Sequence, residues 1–375
     1  MDTTTLTQKI KERAHELGFP LAGVTTPDPP LQRGFLQNWL QAGYQASMDW
    51  IGTDHSLERR ADPRVILPEC RSILVLGSPY SAPRGNVGGG NIAAYALNQD
   101  YHDVLGKRLQ ALVEAIEDWV GEPVPNRWYT DTGPVLEKEL AMRAGLGWIG
   151  KNTILINKEY GSYFFLAEIL LGIELIIDPP ITENYCGDCT RCLVTCPTGA
   201  LREPYTLDAN RCISYLTIEH RGEIPEGLRS RIGDWIFGCD ICQLICPWNK
   251  PGQEASNILE EFRPREEILE VDLIEELGLC QEEFSTRFKG SPVKRAKRRG
   301  YLRNVAIALG NRGEEDALPA LEKALEAPEP LIRKSSAWAL GKIGGERTSR
   351  ILQKRLKDET DPGVIRAIQD ALGEQ

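Results

Sequence analysis

Apolar residues recur with helical spacing over Leu6–Leu17, condense into a short run at Leu21–Val24, and return to helical spacing over Leu31–Ala42. The chain therefore opens as helix, strand, helix. A second strand is predicted at Ser72–Gly77; Ser81–Asn91 is glycine-rich and reads as a loop, and Ile92–Trp119 has the period of a long helix. At Thr130–Pro134 a turn is expected, from which a helix runs to Gly145 or Gly147; Asp131 or Thr132 could cap it and Pro134 suits its first turn. Thr153–Asn157 and Tyr163–Leu171 are apolar enough to be buried strands. This mixture predicts an α+β or α/β domain over residues 1–178, closed by Pro179–Pro180.

Three further segments follow: a cysteine-rich one at 179–252, a charged helical connector at 253–300, and a repeating tail at 301–375. In the tail, Ala308-Leu309-Gly310, Ala339-Leu340-Gly341 and Ala371-Leu372-Gly373 recur at nearly constant spacing, and Pro330 and Pro362 introduce the last two copies. Stacked helical pairs of the HEAT kind are the expected outcome. The fold class is thus α+β with an α-helical repeat tail.

Composition adds less than its distribution. The formal charge of −10 does not announce a nucleic-acid partner. Yet Arg287, Lys289, Lys294, Arg295, Lys297, Arg298, Arg299 and Arg303 follow one another without an acid between them, directly after the acidic stretch Glu254–Glu283. No apolar run is long enough to span a bilayer, and the N-terminus does not resemble a secretion signal. Ten cysteines in such a chain argue for metal binding over disulfides and for a cytoplasmic location.

Eight of those cysteines carry the chemistry. Cys186-x2-Cys189-x2-Cys192-x3-Cys196-Pro197 has the spacing of a bacterial ferredoxin motif, in which three thiolates hold one four-iron cluster and the fourth reaches a second. Cys239-x2-Cys242-x3-Cys246-Pro247 repeats the later spacings but has Ile236 where the first cysteine belongs. Cys212 is the replacement. Two [4Fe-4S] clusters then divide the thiolates as Cys186, Cys189, Cys192 and Cys246 on one and Cys196, Cys212, Cys239 and Cys242 on the other. A zinc ribbon would need no such crossed pattern. Cys70 and Cys280, which sit beside apolar residues, are expected to be buried inert thiols. Two clusters make a one-electron wire, and the chain has no flavin or nicotinamide fingerprint after a strand; Gly85–Gly90 lies in the wrong context. The bond-making chemistry belongs to another cofactor or to a partner.

Several segments together resemble the epoxyqueuosine reductases: the ferredoxin-like core with its displaced Cys212, Tyr129-Thr130-Asp131-Thr132-Gly133-Pro134-Val135-Leu136-Glu137, Ala144-Gly145-Leu146-Gly147-Trp148-Ile149-Gly150-Lys151-Asn152-Thr153, Cys212-Ile213-Ser214-Tyr215-Leu216-Thr217, and the HEAT-like tail. The resemblance spans nearly the whole chain. It implies an oxidoreductase that reduces epoxyqueuosine to queuosine at the wobble position of tRNA, using cobalamin fed by two [4Fe-4S] clusters and an external electron donor. The 1–178 domain would bind cobalamin, 179–252 would deliver electrons, and the basic connector would grip tRNA through Lys294, Arg295, Lys297, Arg298 and Arg299. The chain is expected to act as a monomer.

The resemblance makes Asp131 the proton donor; the alternative is that Asp131 merely caps the helix at Pro134. Cobalamin contacts are expected at Arg60, Asp131, Ile154, Leu155 and Ser214, each of which could equally be surface charge, strand or core. The base-off signature D-x-H-x-x-G is missed by one place in Asp100-Tyr101-His102-Asp103-Val104-Leu105-Gly106, so His102 is expected to be a solvated or capping residue rather than a cobalt ligand. Tyr301 and Trp338 are expected to pack within the repeats. Two other activities fit parts of the pattern: a corrinoid reductive dehalogenase of a small molecule, and an electron-transfer protein that docks a partner through its repeats.

Overall fold

The computed structural model describes residues 1–82, 89–249, 257–269 and 271–373. Residues 83–88 of the expected glycine-rich loop lie outside the described residues. The chain forms two compact units whose boundaries cut across its linear order. Met1–Ala82, Asn98–Asn210 and Ile241–Arg263 make the first; Pro83–Leu97, Arg211–Asp240 and Pro264–Gln375 make the second.

In the first unit, strands β1 (Leu21–Thr25), β2 (Ser72–Pro79), β3 (Asn126–Tyr129) and β4 (Phe164–Leu171) form a sheet in the order β1-β2-β4-β3. Every neighbouring pair is antiparallel, which settles the domain as α+β. The central strands β2 and β4 are buried on both faces along nearly their whole length, so they read in the sequence as continuous apolar runs. Three helices frame the sheet: α1 (Thr3–Glu16), α2 (Tyr101–Val120) and α3 (Glu137–Arg143). Asp2 caps α1 by accepting the Thr5 N–H at 3.0 Å. Asp100 caps α2 by accepting the His102 N–H at 3.1 Å, so that helix begins later than the expected Ile92. The helix expected from Pro134 begins at Glu137. Its inner face, Leu140 and Ala141, joins Val135, Ile73, Val75, Phe164 and Leu170 in one core.

The second unit is organised by helices α4 (Ile213–Ile218), α5 (Lys297–Arg312), α6 (Pro330–Ile343) and α7 (Pro362–Gly373), with a short strand β5 (Trp235–Phe237) paired parallel to Asn91–Ile92. Helix α5 is buried on every side from Gly300 to Gly310. The repeated Ala-Leu-Gly is a packing device between successive helices: a methyl group at Gly310 would lie 2.7 Å from Ala339 Cα, and one at Gly341 would lie 2.9 Å from Ala371 Cα. The glycine of one copy receives the alanine of the next, which is why the triplet recurs once per repeat. Pro330 and Pro362 occupy the first positions of α6 and α7. Tyr301 and Trp338 are buried as expected, and the Tyr301 hydroxyl donates to Glu276 Oε2 at 2.7 Å.

Candidate active site

Asp131 lies in the turn between β3 and α3 with φ +60°, a left-handed conformation that a side-chain-bearing residue adopts at a cost. The turn is held from both sides. Thr130 Oγ1 donates to the Leu166 carbonyl of β4 at 2.9 Å, and the Thr132 N–H donates to the Thr130 carbonyl at 2.6 Å. A Cβ at Gly133 would meet Tyr129 Cγ at 2.5 Å, so the glycine of the Asp-Thr-Gly-Pro sequence is sterically required. The N-cap of α3 is Leu136, with no side-chain cap hydrogen bond. Asp131 Oδ2 accepts the Tyr101 hydroxyl at 2.7 Å and stands 3.6 Å from His102 Nε2.

His102 is therefore part of this arrangement rather than a cap. Half-buried, it stacks on Tyr101 at 4.2 Å between ring centroids, and Tyr101 stacks on Phe165 of β4 at 4.5 Å. Its Nδ1 lies 2.8 Å from Asp100 Oδ1. Hydrogen bonding to Asp100 and then to Asp131 raises the imidazole to about 9, so it is a cation at neutral pH. Behind the turn, burial and then the charge of Asp131 raise Glu137 to about 8; its carboxylate accepts the Asp131 backbone N–H, and Lys138 and Arg60 oppose the rise.

The turn forms part of the wall of a cleft of about 660 Å³. Phe35, Leu36, Val135, Leu136, Met142 and Ile149 give it a broad apolar lining, and Arg60, Asp131, Glu137 and Trp148 also line it. The lip is fixed by Glu139, whose carboxylate accepts the N–H groups of Leu31 and Gln32 at 2.6 and 3.0 Å. Of the expected cofactor contacts, Arg60 and Asp131 line this cleft. Leu155 is instead packed in the core, and Ile154 engages Asn152 through its backbone N–H at 3.3 Å. Ser214 is the second residue of α4, in the other unit.

The segment Trp148–Thr153 has two faces. Trp148, Ile149 and Thr153 line the cleft, while Lys151 Nζ donates to the carbonyls of Gly187 and Cys189 at 2.5 and 3.0 Å. Trp148 packs edge-on against Tyr185 and Trp248, with centroids 5.0 and 4.9 Å away; these rings neighbour Cys186 and Cys246 in the chain. Cys186, Cys189 and Cys246 all act electrostatically on Cys192 in addition to its burial. A soft-thiolate set of this kind suits a [4Fe-4S] cluster. Of the second set, Cys196 and Cys242 belong to the first unit and Cys212 and Cys239 to the second. Ile236, where a cysteine is missing, is wholly buried in β5. Cys70 is buried as expected and raised to about 11 by that burial. Cys280 is exposed and caps the following helix by accepting the Glu283 N–H at 3.5 Å.

The basic run divides in two. Arg303 is fully buried, donating to the carbonyls of Leu216, His220 and Gly222 at 2.6 to 2.7 Å. Arg287, Arg295 and Arg298 pair with Glu276, Glu219 and Glu329 at 2.7, 2.8 and 2.7 Å. Lys294, Lys297 and Arg299 remain exposed, with no ion-pair partner among the described residues.

These features suit an iron–sulfur oxidoreductase with Asp131 and Glu137 at the wall of an apolar cleft. Residues 185–249 match the family described as 4Fe-4S double cluster binding domain, residues 297–373 match HEAT repeats, and residues 60–132 match the family described as Epoxyqueuosine reductase QueG, DUF1730. The epoxyqueuosine reductase of Pseudomonas aeruginosa is 41% identical, over 92% of this chain and 96% of that protein. That of Escherichia coli K12 is 39% identical, over 99% and 98%. A solved epoxyqueuosine reductase bound to an epoxyqueuosine-modified tRNA stem loop superposes with a TM-score of 0.90 at 33% identity, covering 99% of this chain and 98% of that one. The chain belongs to the epoxyqueuosine reductases. Among the described residues, no helix is long and apolar enough to cross a membrane.

Proposed function

We propose that this chain reduces epoxyqueuosine to queuosine at the wobble position of a tRNA, with Asp131 as proton donor, a corrinoid in the cleft and two [4Fe-4S] clusters as the wire. The observation that carries the reading is the approach of Tyr101 and His102 to Asp131, which lines a cleft whose Trp148–Thr153 wall also grips the Cys186–Cys189 loop. A tRNA substrate is supported by the stem loop bound to the solved relative.

The broad apolar lining suits a flat macrocycle, and the Trp148 N–H and Glu137 Oε1 are buried without hydrogen-bond partners among the described residues, polar atoms that ring carboxamides can satisfy. Phe35, Leu136 and Ile149 would pack against such a ring and Arg60 would meet its amides. A bound corrinoid supplies electrons at cobalt, refilled singly through the clusters held by Cys186, Cys189, Cys192 and Cys246 and by Cys196, Cys212, Cys239 and Cys242.

The overall change adds two electrons and two protons to the epoxide and releases one water, leaving an alkene. Asp131 protonates the oxygen as its C–O bond breaks. The carboxylate left behind is stabilised by the Tyr101 hydroxyl and the His102 imidazolium, and His102 returns a proton to it for the second transfer. Lys294, Lys297 and Arg299 contact the RNA backbone. The test is Asp131→Asn, with clusters and corrinoid loaded: unaltered cluster and corrinoid spectra with turnover reduced by about 10²-fold or more support the assignment. Unchanged turnover overturns it.

A further inference from the structure

The face of β4 that meets α3 carries Phe164, Leu166, Glu168 and Leu170; Phe164 and Leu170 lie in the core and Leu166 packs against it. Glu168 breaks the pattern. It is fully buried, it sits opposite Val75 of β2 and Tyr129 of β3, and neither of its carboxylate oxygens has a hydrogen-bond partner among the described residues. An ionised carboxylate in such a place costs several kcal/mol at least. A core selected for stability alone would carry leucine here. Besides burial, the charges acting on Glu168 are those of Glu137 and Asp131, and both favour its protonated form. Burial and both neighbouring charges therefore hold Glu168 toward its protonated form, a carboxylic acid with one O–H to give.

Glu137, at the start of α3, has what that O–H lacks: a buried Oε1 without a partner among the described residues. The same carboxylate accepts the backbone N–H of Asp131. We propose that Glu168 is a positioning residue for the proton donor: as a neutral acid it gives its O–H to Glu137, which holds the Asp131 N–H and so fixes the turn in its left-handed conformation. This rests on the reading of Asp131 as the donor. It also gives the turn a defined latch. In a Bacillus subtilis relative the catalytic aspartate loop was captured swung out of the active site, the displacement such a latch opposes.

Glu168→Gln preserves an N–H donor of the same shape, whereas Glu168→Leu removes the donor and suits the apolar surroundings. In the loaded holoenzyme, the infrared carbonyl band of a neutral carboxylic acid, shifted in heavy water, is present at neutral pH and weakened in both variants. The leucine variant melts at the same temperature or higher, exchanges its Asp131 amide proton faster, and turns over at least about tenfold more slowly. The glutamine variant keeps slow exchange and turns over within about threefold of the parent. A purely structural Glu168 predicts instead that leucine leaves exchange and turnover unchanged, and that result overturns the proposal. So does an acid band that neither variant weakens. If the leucine variant fails to fold, the glutamine variant decides alone: fast amide exchange there overturns the latch and slow exchange supports it. Failure of the donor assignment shows separately, as normal turnover by Asp131→Asn with the latch intact.

Discussion

Replacing His102 with glutamine keeps a side chain of similar reach to Asp100 but abolishes the cation beside Asp131. The rise from 6.5 to about 9 corresponds to roughly 3 kcal/mol at about 1.4 kcal/mol per pH unit. Asp100 contributes more of that rise than Asp131, and 35% of the side chain is open to solvent, so the share acting at Asp131 is ~1 kcal/mol, approaching tenfold in rate. The sign is fixed by the raised value. Stabilisation from this imidazolium is fully present below pH 6.5 and lost as pH rises through about 9. Turnover of the parent enzyme should hold a plateau at neutral pH and decline near pH 9, followed as single-turnover conversion of an epoxide-bearing stem loop under reducing conditions. In the variant the plateau should drop about tenfold and the decline near pH 9 should vanish. A variant with the parental plateau and the same alkaline decline would refute proton return through His102.

Other outcomes follow from the same geometry. Lys151→Met removes a charge-assisted grip on two carbonyls of the first cluster loop and should speed chelator-driven bleaching of the iron–sulfur absorption by about tenfold or more. Arg333 binds Glu359 through two contacts of 2.8 and 3.0 Å, and against the opposing effect of burial these bonds, together with those from the Asp361 N–H, Arg355 and the Thr360 N–H, hold Glu359 near 2. That stability is present above pH ~4.5 and lost as pH falls toward 2, and Arg333→Met should cost the repeats about 3 kcal/mol by thermal unfolding at pH 7. Gly341→Val should separate α6 from α7 and cost about 2–4 kcal/mol in the same assay. Neutralising Lys294, Lys297 and Arg299 together should weaken stem-loop binding and flatten the salt slope by about 2–3. Arg303→Gln should instead lower the melting temperature, because that guanidinium serves carbonyls.

Much of this architecture was legible from pattern because the signals are local. The β2 and β4 runs, the Cys-x2-Cys spacings and the prolines opening α6 and α7 are each written within a few residues. The choice between α+β and α/β was not, since strand direction depends on partners far apart in the chain. Asp131 is visible as a turn residue, but its neighbours Tyr101 and His102 reach it from the start of α2, far from it in the chain. His102 was discounted because one motif failed by a residue, although Asp100 beside it signalled both the cap and the imidazole partner. The basic run misled by half. Charge along a sequence does not reveal that Arg303 faces inward, and α5, buried on every side there, has no polar face to set it apart. Glu168 was hidden for the opposite reason: within Tyr163–Leu171 a single acid reads as noise in an apolar strand.

The Trp148–Thr153 segment ties the shape of the cleft to a loop outside it. Trp148, Ile149 and Thr153 line the cleft while Lys151 is moored to the carbonyls of Gly187 and Cys189. Cleft wall and cysteine loop are thus one mechanical unit, and a shift of the loop backbone is passed to the cleft through a single lysine.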